Sequence, residues 1–494
     1  MKRHADLALA CAVAIVPLCV YVATLPPSFA FWDTGELQTV AAILGIAHPP
    51  ACPAFVLLGW LFAHALPLHD AAWRVDLMCS CAIALSVALA YLGARALGVS
   101  RAAGAVCALG FAFASVPWHD ATRAEVQDLA LAFRTLALVF AFRYAASGAA
   151  RDLFATALAT GLAGATHGIS ILIVPGLALV VLSRGVPSRR LLALGAAGIA
   201  LGLLPYAYLP LRATWLYDHR VDPTLSLGLP PGLPFWDYDD PRTWTNFVRV
   251  LTGADFDVHS GFAGFLDVAS YGRFASALAH HVADAYGYAG FVVAAVGAGT
   301  LVVRRDPRGI ALVIVALLPV PYTESYNELQ DPNRYYLFTL WCAAIATGVG
   351  FDLVLGLFQP EARSPLRFVL LGGLVASFAT GVPDTEDMFR QAQDDGAAHY
   401  VADVKALTPD DAVVLAEWAY SSPLAYAAYV NHSFGNRIAV ASSPTQYLAY
   451  VAGWLRTRPV YVVSFDDALK LPGFRVEEVR DGPYYVYQIT NGAR

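Results

Sequence analysis

Two carboxylates and an imidazole lie close together near the start of this chain. They sit in Phe31-Trp32-Asp33-Thr34-Gly35-Glu36-Leu37 and, after a short apolar run, Gly45-Ile46-Ala47-His48-Pro49-Pro50. An acceptor hydroxyl attacks poorly while it keeps its proton. A positioned carboxylate takes that proton as the new bond forms, and Asp33 is the candidate for this work. Glu36, three residues on, orients the acceptor or shares the role, because positions three apart meet on one helix face. The His48 imidazole can donate to a lipid phosphate and stabilise charge on a leaving group. A structural use competes for the same atoms: Asp33 as the cap of a helix over 34–44, with Glu36 completing a capping box. The two uses are compatible, since a cap also fixes the direction of a carboxylate.

Three further groups carry chemistry. His119, Asp120, Arg123, Glu125 and Asp128 crowd between two apolar runs. Asp120 and Arg123 suit an i,i+3 pair, and Glu125 and Asp128 suit one helix face. Glu125 and Arg123 are taken as acceptor or pocket residues. Arg134, deeper in the next apolar run, needs a partner there, and one of these acids is the expected one. His167 closes the run Gly-Leu-Ala-Gly-Ala-Thr-His-Gly over 161–168 and is either a pocket residue or a helix-end imidazole bonded to a carbonyl. Arg334 and Tyr335 open a late apolar run. Arg334 can grip a phosphate with two parallel hydrogen bonds, and Tyr335 joins it there. Glu324, Glu328 and Asp331 are available to pair with Arg334 or to bind a divalent cation. No spacing specifies a metal, so no metal ligand is assigned and a divalent cation is left open as the one candidate cofactor.

These residues need a scaffold, and composition says which. Hydrophobic residues make up 57% of the 494 positions and charged residues only 14%, against about 25% charged in soluble domains. The chain is read as an all-α polytopic membrane protein, with membrane lipids as its surroundings. A net charge of −6 argues against nucleic acid as a partner. The seven cysteines lie in apolar or interfacial stretches and none falls in the polar C-terminal region, which argues against a disulfide framework. Eleven spans are expected, at 6–24, 75–97, 102–118, 125–146, 152–167, 169–183, 191–209, 278–303, 309–323, 335–358 and 366–382. A short interfacial helix is expected at 52–66. With alternating spans, the basic clusters (Lys2 and Arg3, Arg95 and Arg101, Arg143 and Arg151, Arg184 with Arg189 and Arg190, Arg304 with Arg305 and Arg308, Arg363 and Arg367) share one side, read as cytoplasmic. The candidate residues then share the outer face. The catalytic part is placed at 1–382, with outer loops 25–74 and 210–275. A small α/β domain outside the membrane occupies 383–494. In it, 412–416 and 460–465 are buried strands, 423–430 and 445–457 are helices, and 474–479 with 484–489 form a hairpin. Its Tyr and Trp residues are expected in a core, with acceptor binding as the alternative, and no catalytic set is read in it.

The first motif, together with Leu57-Leu58-Gly59, Arg74-Val75-Asp76-Leu77, Ala124-Glu125-Val126-Gln127 and Gly164-Ala165-Thr166-His167-Gly168, resembles a large bacterial membrane family. That family is related to a eukaryotic transmembrane protein O-mannosyltransferase. The match is good over roughly the first 180 residues and looser at 331–335 and in the tail. The resemblance implies a GT-C fold with an acidic catalytic residue in the first outer loop and a polyprenyl-phosphate sugar donor. Asp33 then takes the base position. The His48 turn falls where related enzymes place a basic residue near lipid phosphate, and Arg334 matches a late Arg-Tyr element. Gln127 and Cys52 depart from the family pattern, which bears on pocket detail.

The expected activity is transfer of a sugar from a polyprenyl-phosphate donor to an acceptor hydroxyl on a protein, lipid or glycan. The expected site of action is the outer face of a bacterial inner membrane, with inversion at the anomeric carbon. Rival readings are a transporter or flippase for a lipid-linked sugar, and a non-catalytic assembly subunit. A transporter should carry polar residues deep into several spans, whereas these acids gather on one face.

Overall fold

The computed structural model describes residues 2–256, 258–326, 332–358 and 365–492, with the side chains of Lys2 and Arg3 outside the description. The chain forms two compact units, each assembled from separate stretches. One comprises Met1–Leu25, Cys79–Tyr206 and Gly253–Gln391; the other comprises Pro26–Met78, Ala207–Thr252 and Ala392–Arg494.

Seven helices among the described residues are long and apolar enough to cross a bilayer: His4–Ala23, Ala71–Ala96, Val126–Ser147, Arg189–Asp218, Val268–Val303, Pro307–Ser325 and Asn333–Phe358. A pair bent by 62°, Arg101–Phe113 and Ser115–Ala121, makes an eighth when its two helices are counted as one span. The break is at Ala114, whose backbone is extended (φ −64°, ψ 152°), and Ser115 N–H then donates to Gly381 O at 2.8 Å. The other three expected spans are helices of under 18 residues: Ala150–Thr166, Gly168–Leu182 and Pro365–Ala379.

The first unit packs as membrane proteins do, by close backbone approach and interhelical hydrogen bonds. A Cβ on Gly297 would lie 1.8 Å from Ala346 O, so the helices Tyr271–Val303 and Leu337–Phe358 touch at a point where only glycine fits. Buried aromatics use their polar ends on neighbouring carbonyls: Trp341 Nε1 donates to Ser86 O (2.8 Å) and Tyr286 Oη to Leu340 O (2.7 Å). Asp6 accepts from Tyr91, Arg95 and Arg101, and Arg308 donates to Ala96 O. These bonds gather the loops bearing Arg95, Arg101 and Arg308 at one end of this unit.

The second unit holds the α/β part. Its strands are β1 (Val413–Ala416), β2 (Ile438–Ala441), β3 (Val460–Ser464), β4 (Phe474–Arg480) and β5 (Tyr485–Asn491). They run in the order β2-β1-β3-β5-β4, with β1 parallel to β2 and β3, and β5 antiparallel to β3 and β4. The expected strands and hairpin are present. β2 was not foreseen: its four residues, Ile-Ala-Val-Ala, are too short a run to separate from a helix by pattern. The first loop is built into this unit. Phe29 stacks on Tyr426 with ring centroids 4.6 Å apart, and burying such a side chain contributes roughly 2 kcal/mol. Ala72 N–H donates to Tyr426 Oη at 2.8 Å.

Candidate functional site

Asp33 lies in the first turn of the helix Trp32–Ile43. The helix starts two residues earlier than the pattern over 34–44 suggests. Its cap is Phe31, which makes no side-chain bond to the helix, so Asp33 is not the cap. An acid in a first turn still benefits from the partial positive charge of the helix N-terminus. Gly35 explains how the turn is made: a Cβ there would fall 2.1 Å from Ala30 O. Gly45, after the helix, is held in the same way, with the position of a Cβ only 2.0 Å from Phe235 O.

The helix places Glu36 on its inner face, where its side chain has no solvent exposure, and His48 returns to meet it. His48 N–H donates to Glu36 Oε1 at 2.8 Å, and His48 Nδ1 lies 2.5 Å from Glu36 Oε2. Glu36 therefore neither closes a capping box nor faces outward; it clamps the His48 turn by backbone and ring at once. The Nδ1 contact with Glu36 fixes the direction in which the ring, and with it Nε2, points. The turn ends in Pro49 and Pro50, and Pro53 begins the next helix, Pro53–Ala65, where a missing N–H costs nothing.

Trp418 completes this corner. Its indole N–H donates to Asp33 Oδ1 at 3.2 Å, and the His48 ring meets it edge-on at 6.0 Å. Phe235 and Tyr238 pack on the same indole, at 4.9 and 6.1 Å. Trp418 follows the C-terminal end of β1, the end of a parallel strand where ligands usually bind. Sequence reasoning placed the aromatics of this domain in its core and missed that one of them reaches Asp33. The available signal was position: Glu417-Trp418 directly after a buried strand.

Asp237 was also missed. It bridges Ile46 through the backbone and so lies beside the turn that carries His48. Burial, then repulsion from Asp240, pushes its carboxyl up to about 7. The signal was an acid run, Asp-Tyr-Asp-Asp over 237–240, behind Phe235 and Trp236.

Ligand atoms of Asp33, Glu36 and His48 all lie within 4.8 Å of one another, close enough to share one divalent cation. Carboxylate oxygens and an imidazole nitrogen suit zinc or manganese chemistry. Glu36 already takes two hydrogen bonds from His48, so a cation would have to share that carboxylate.

In the first unit a second group forms. Glu125 caps the helix Val126–Ser147, accepting from Gln127 N–H at 3.1 Å, and its Oε2 accepts from Arg334 Nη1 at 2.9 Å. Glu125 thus precedes the helix and shares no face with Asp128. Arg123 pairs with Asp120 as expected. Among the described residues Arg134 does not pair with an acid: it donates to Gln127 Oε1 at 3.0 Å and lies over Phe338. Gln127 reaches it along the same helix, and a neutral amide avoids burying a further charge. His167 Nδ1 accepts from Ile169 N–H at 3.3 Å, so the residue starts a turn at the helix end. Its ring stands edge-on to Tyr335 at 5.8 Å, and Arg334 lies 5.8 Å from that same ring. Glu324 takes Tyr336 Oη at 2.8 Å. Glu328 and Asp331 lie outside the described residues.

Comparison with known proteins bears on this arrangement. Residues 33–190 match the family model for the N-terminal domain of protein O-mannosyl-transferase TMEM260. The chain is 31% identical to protein O-mannosyl-transferase TMEM260 of Mus musculus over 214 residues, which are 41% of this chain and 30% of that one. It therefore spans under a third of that relative. The apo oligosaccharyltransferase of Archaeoglobus fulgidus superposes with a TM-score of 0.57 at 13% identity, covering 93% of this chain and 69% of that one. ArnT from Cupriavidus metallidurans bound to undecaprenyl phosphate superposes at 0.52 and 13%, covering 98% and 97%. The resemblance read from the motifs and the GT-C-like architecture both stand on these matches.

Proposed function

We propose that this protein is a membrane glycosyltransferase that moves a sugar from a polyprenyl-phosphate donor to an acceptor hydroxyl. The observation that carries the proposal is the Asp33 corner: a carboxylate at a helix start, fixed by the Trp418 indole beside a buried Glu36–His48 pair. The TMEM260 match, which begins at Asp33, and the lipid-phosphate-bound ArnT neighbour support this class of reaction.

In the proposed step the acceptor oxygen attacks the anomeric carbon as Asp33 takes its proton. The bond from the anomeric carbon to the phosphate oxygen breaks, and the phosphate departs with the electron pair. Attack opposite the leaving group inverts the configuration. His48 donates to the departing oxygen through the nitrogen that Glu36 does not engage, so Glu36 acts through His48 as a positioning residue. Arg334, held by Glu125 and stacked with Tyr335, is assigned to donor phosphate. Arg123 and His167 are assigned to the pocket walls. The reaction is placed on the outer face of a bacterial inner membrane, with the N-terminus inside and the α/β part outside. A divalent cation shared by Asp33, Glu36 and His48 would supply charge stabilisation to the phosphate.

The test is transfer from a radiolabelled polyprenyl-phosphate sugar by the full-length protein in detergent. Asp33→Asn keeps the shape and the indole bond but removes the base, and loses about 100-fold or more of the rate. Undiminished transfer in that variant would remove Asp33 from the mechanism.

A further inference from the structure

At the far end of the Trp32–Ile43 helix from Asp33, the second unit encloses a cleft of about 920 Å³ that the transfer step does not use. Along that helix, Asp33 and Ile43 are separated by about 15 Å. Its lining is largely apolar and includes Trp236 and Tyr429, which pack on each other with ring centroids 5.8 Å apart and planes tilted by 50°. Its rim carries exposed His64, Asn431 and His432.

The charges in the cleft are already committed. Arg74 donates from Nε to Asp70 O (2.9 Å) and from Nη1 to Leu66 O (2.5 Å). Arg437 bonds Thr408, Asp410 and the carbonyls of Lys405 and Phe434. Asp70 accepts from Ser28 Oγ and from Trp73 N–H. An anionic headgroup would have to displace these bonds. A peptide strand would need an open sheet edge, and β2 is covered at Ala441, whose N–H donates to Gly232 O at 3.1 Å. What remains is the aromatic pair Trp236 and Tyr429, with Arg212 lying 5.8 Å from the Trp236 ring, and planar hydrogen-bonding groups on the rim. Sugars present matching surfaces: C–H faces that lie on aromatic rings, and hydroxyls that bond to amides and imidazoles.

We propose that this cleft is a carbohydrate subsite, holding sugar residues of a glycan-bearing acceptor while the acceptor hydroxyl is at Asp33. The acceptor part of this inference rests on the transfer reading above; carbohydrate binding by the cleft does not. The full-length protein in detergent, without donor, is titrated calorimetrically with mannotriose, maltotriose and chitotriose, and with inorganic phosphate. At least one trisaccharide binds with a submillimolar Kd. Trp236→Ala weakens it tenfold or more. Asn431→Ala, on the exposed rim, also weakens it with an unchanged melting temperature, so loss of fold is not the cause. The same trisaccharide binds Asp33→Asn normally, which separates this test from that of the base. Absence of binding by all three sugars, binding of phosphate alone, or binding unaltered by both cleft variants overturns the proposal.

Discussion

Glu36 and His48 form a two-point clamp: one carboxylate takes the backbone N–H of His48 at 2.8 Å and faces its ring nitrogen at 2.5 Å. The pair fixes both the path of the turn and the direction of the ring. Removing either partner should therefore have the same consequence. We expect Glu36→Gln and His48→Ala each to slow transfer by about 10- to 100-fold, and the double variant to be hardly slower than either single one. Additive losses in initial rates would show that the two residues act separately.

Asp237 makes stability depend on pH near neutrality. Its carboxyl is raised to about 7 by burial and by Asp240. The fold thus prefers it protonated, and the stabilisation is full below its unfolded value of about 3.9. It is lost as pH rises through about 7. We expect the melting temperature to fall between pH 6 and pH 8, in detergent at fixed ionic strength. Asp237→Asn, which keeps the neutral shape, should flatten that fall and melt higher at pH 8. A slope unchanged by the substitution would assign it to another group.

Gly35 admits no side chain. A Cβ there would fall 2.1 Å from Ala30 O, and a methyl group cannot be placed without moving the Trp32 turn. We expect Gly35→Ala to cost about 3 kcal/mol or more, seen as a large loss of folded protein in size-exclusion profiles. Gly299, where a Cβ meets nothing within 4 Å, is the control: Gly299→Ala should express normally.

The Glu125–Arg334 pair is worth more intact than its net contribution to stability. Glu125 is only 3% exposed. Removing the arginine leaves that charge without its ion-pair partner, at a cost of about 3–5 kcal/mol. We expect Arg334→Met to destabilise strongly and the double variant Glu125→Gln with Arg334→Met to recover much of the loss. Equal melting temperatures for the single and double variants would show that burial of Glu125 is not what the arginine offsets.

Several elements could be read before any coordinates. Apolar runs longer than a bilayer is thick can only be helices there, because lipid offers no partner to a free backbone group. The strands 413–416 and 460–464 and the closing hairpin were likewise visible, since apolar runs and turn residues act locally. Where the reading slipped, close steric fit and the choice of side-chain partner were the reason, and residue type and spacing do not show either. The helix start at Trp32 depends on Gly35 approaching Ala30, and the partner of Arg134 depends on which side chains line one buried face.

The amino-acid sequence determined by itself that the chain is a bundle of membrane-crossing helices with a small α/β part, and that Asp33, Glu36 and His48 are the residues to watch. It could do so because hydrophobicity, charge and turn chemistry act over a few neighbouring residues. Only the tertiary structure decided what each of the three does. Glu36 turned inward to hold His48, and Asp33 took the indole of Trp418, 385 positions away. Contacts between residues so far apart follow from how the helices and the sheet pack, and no local pattern encodes that.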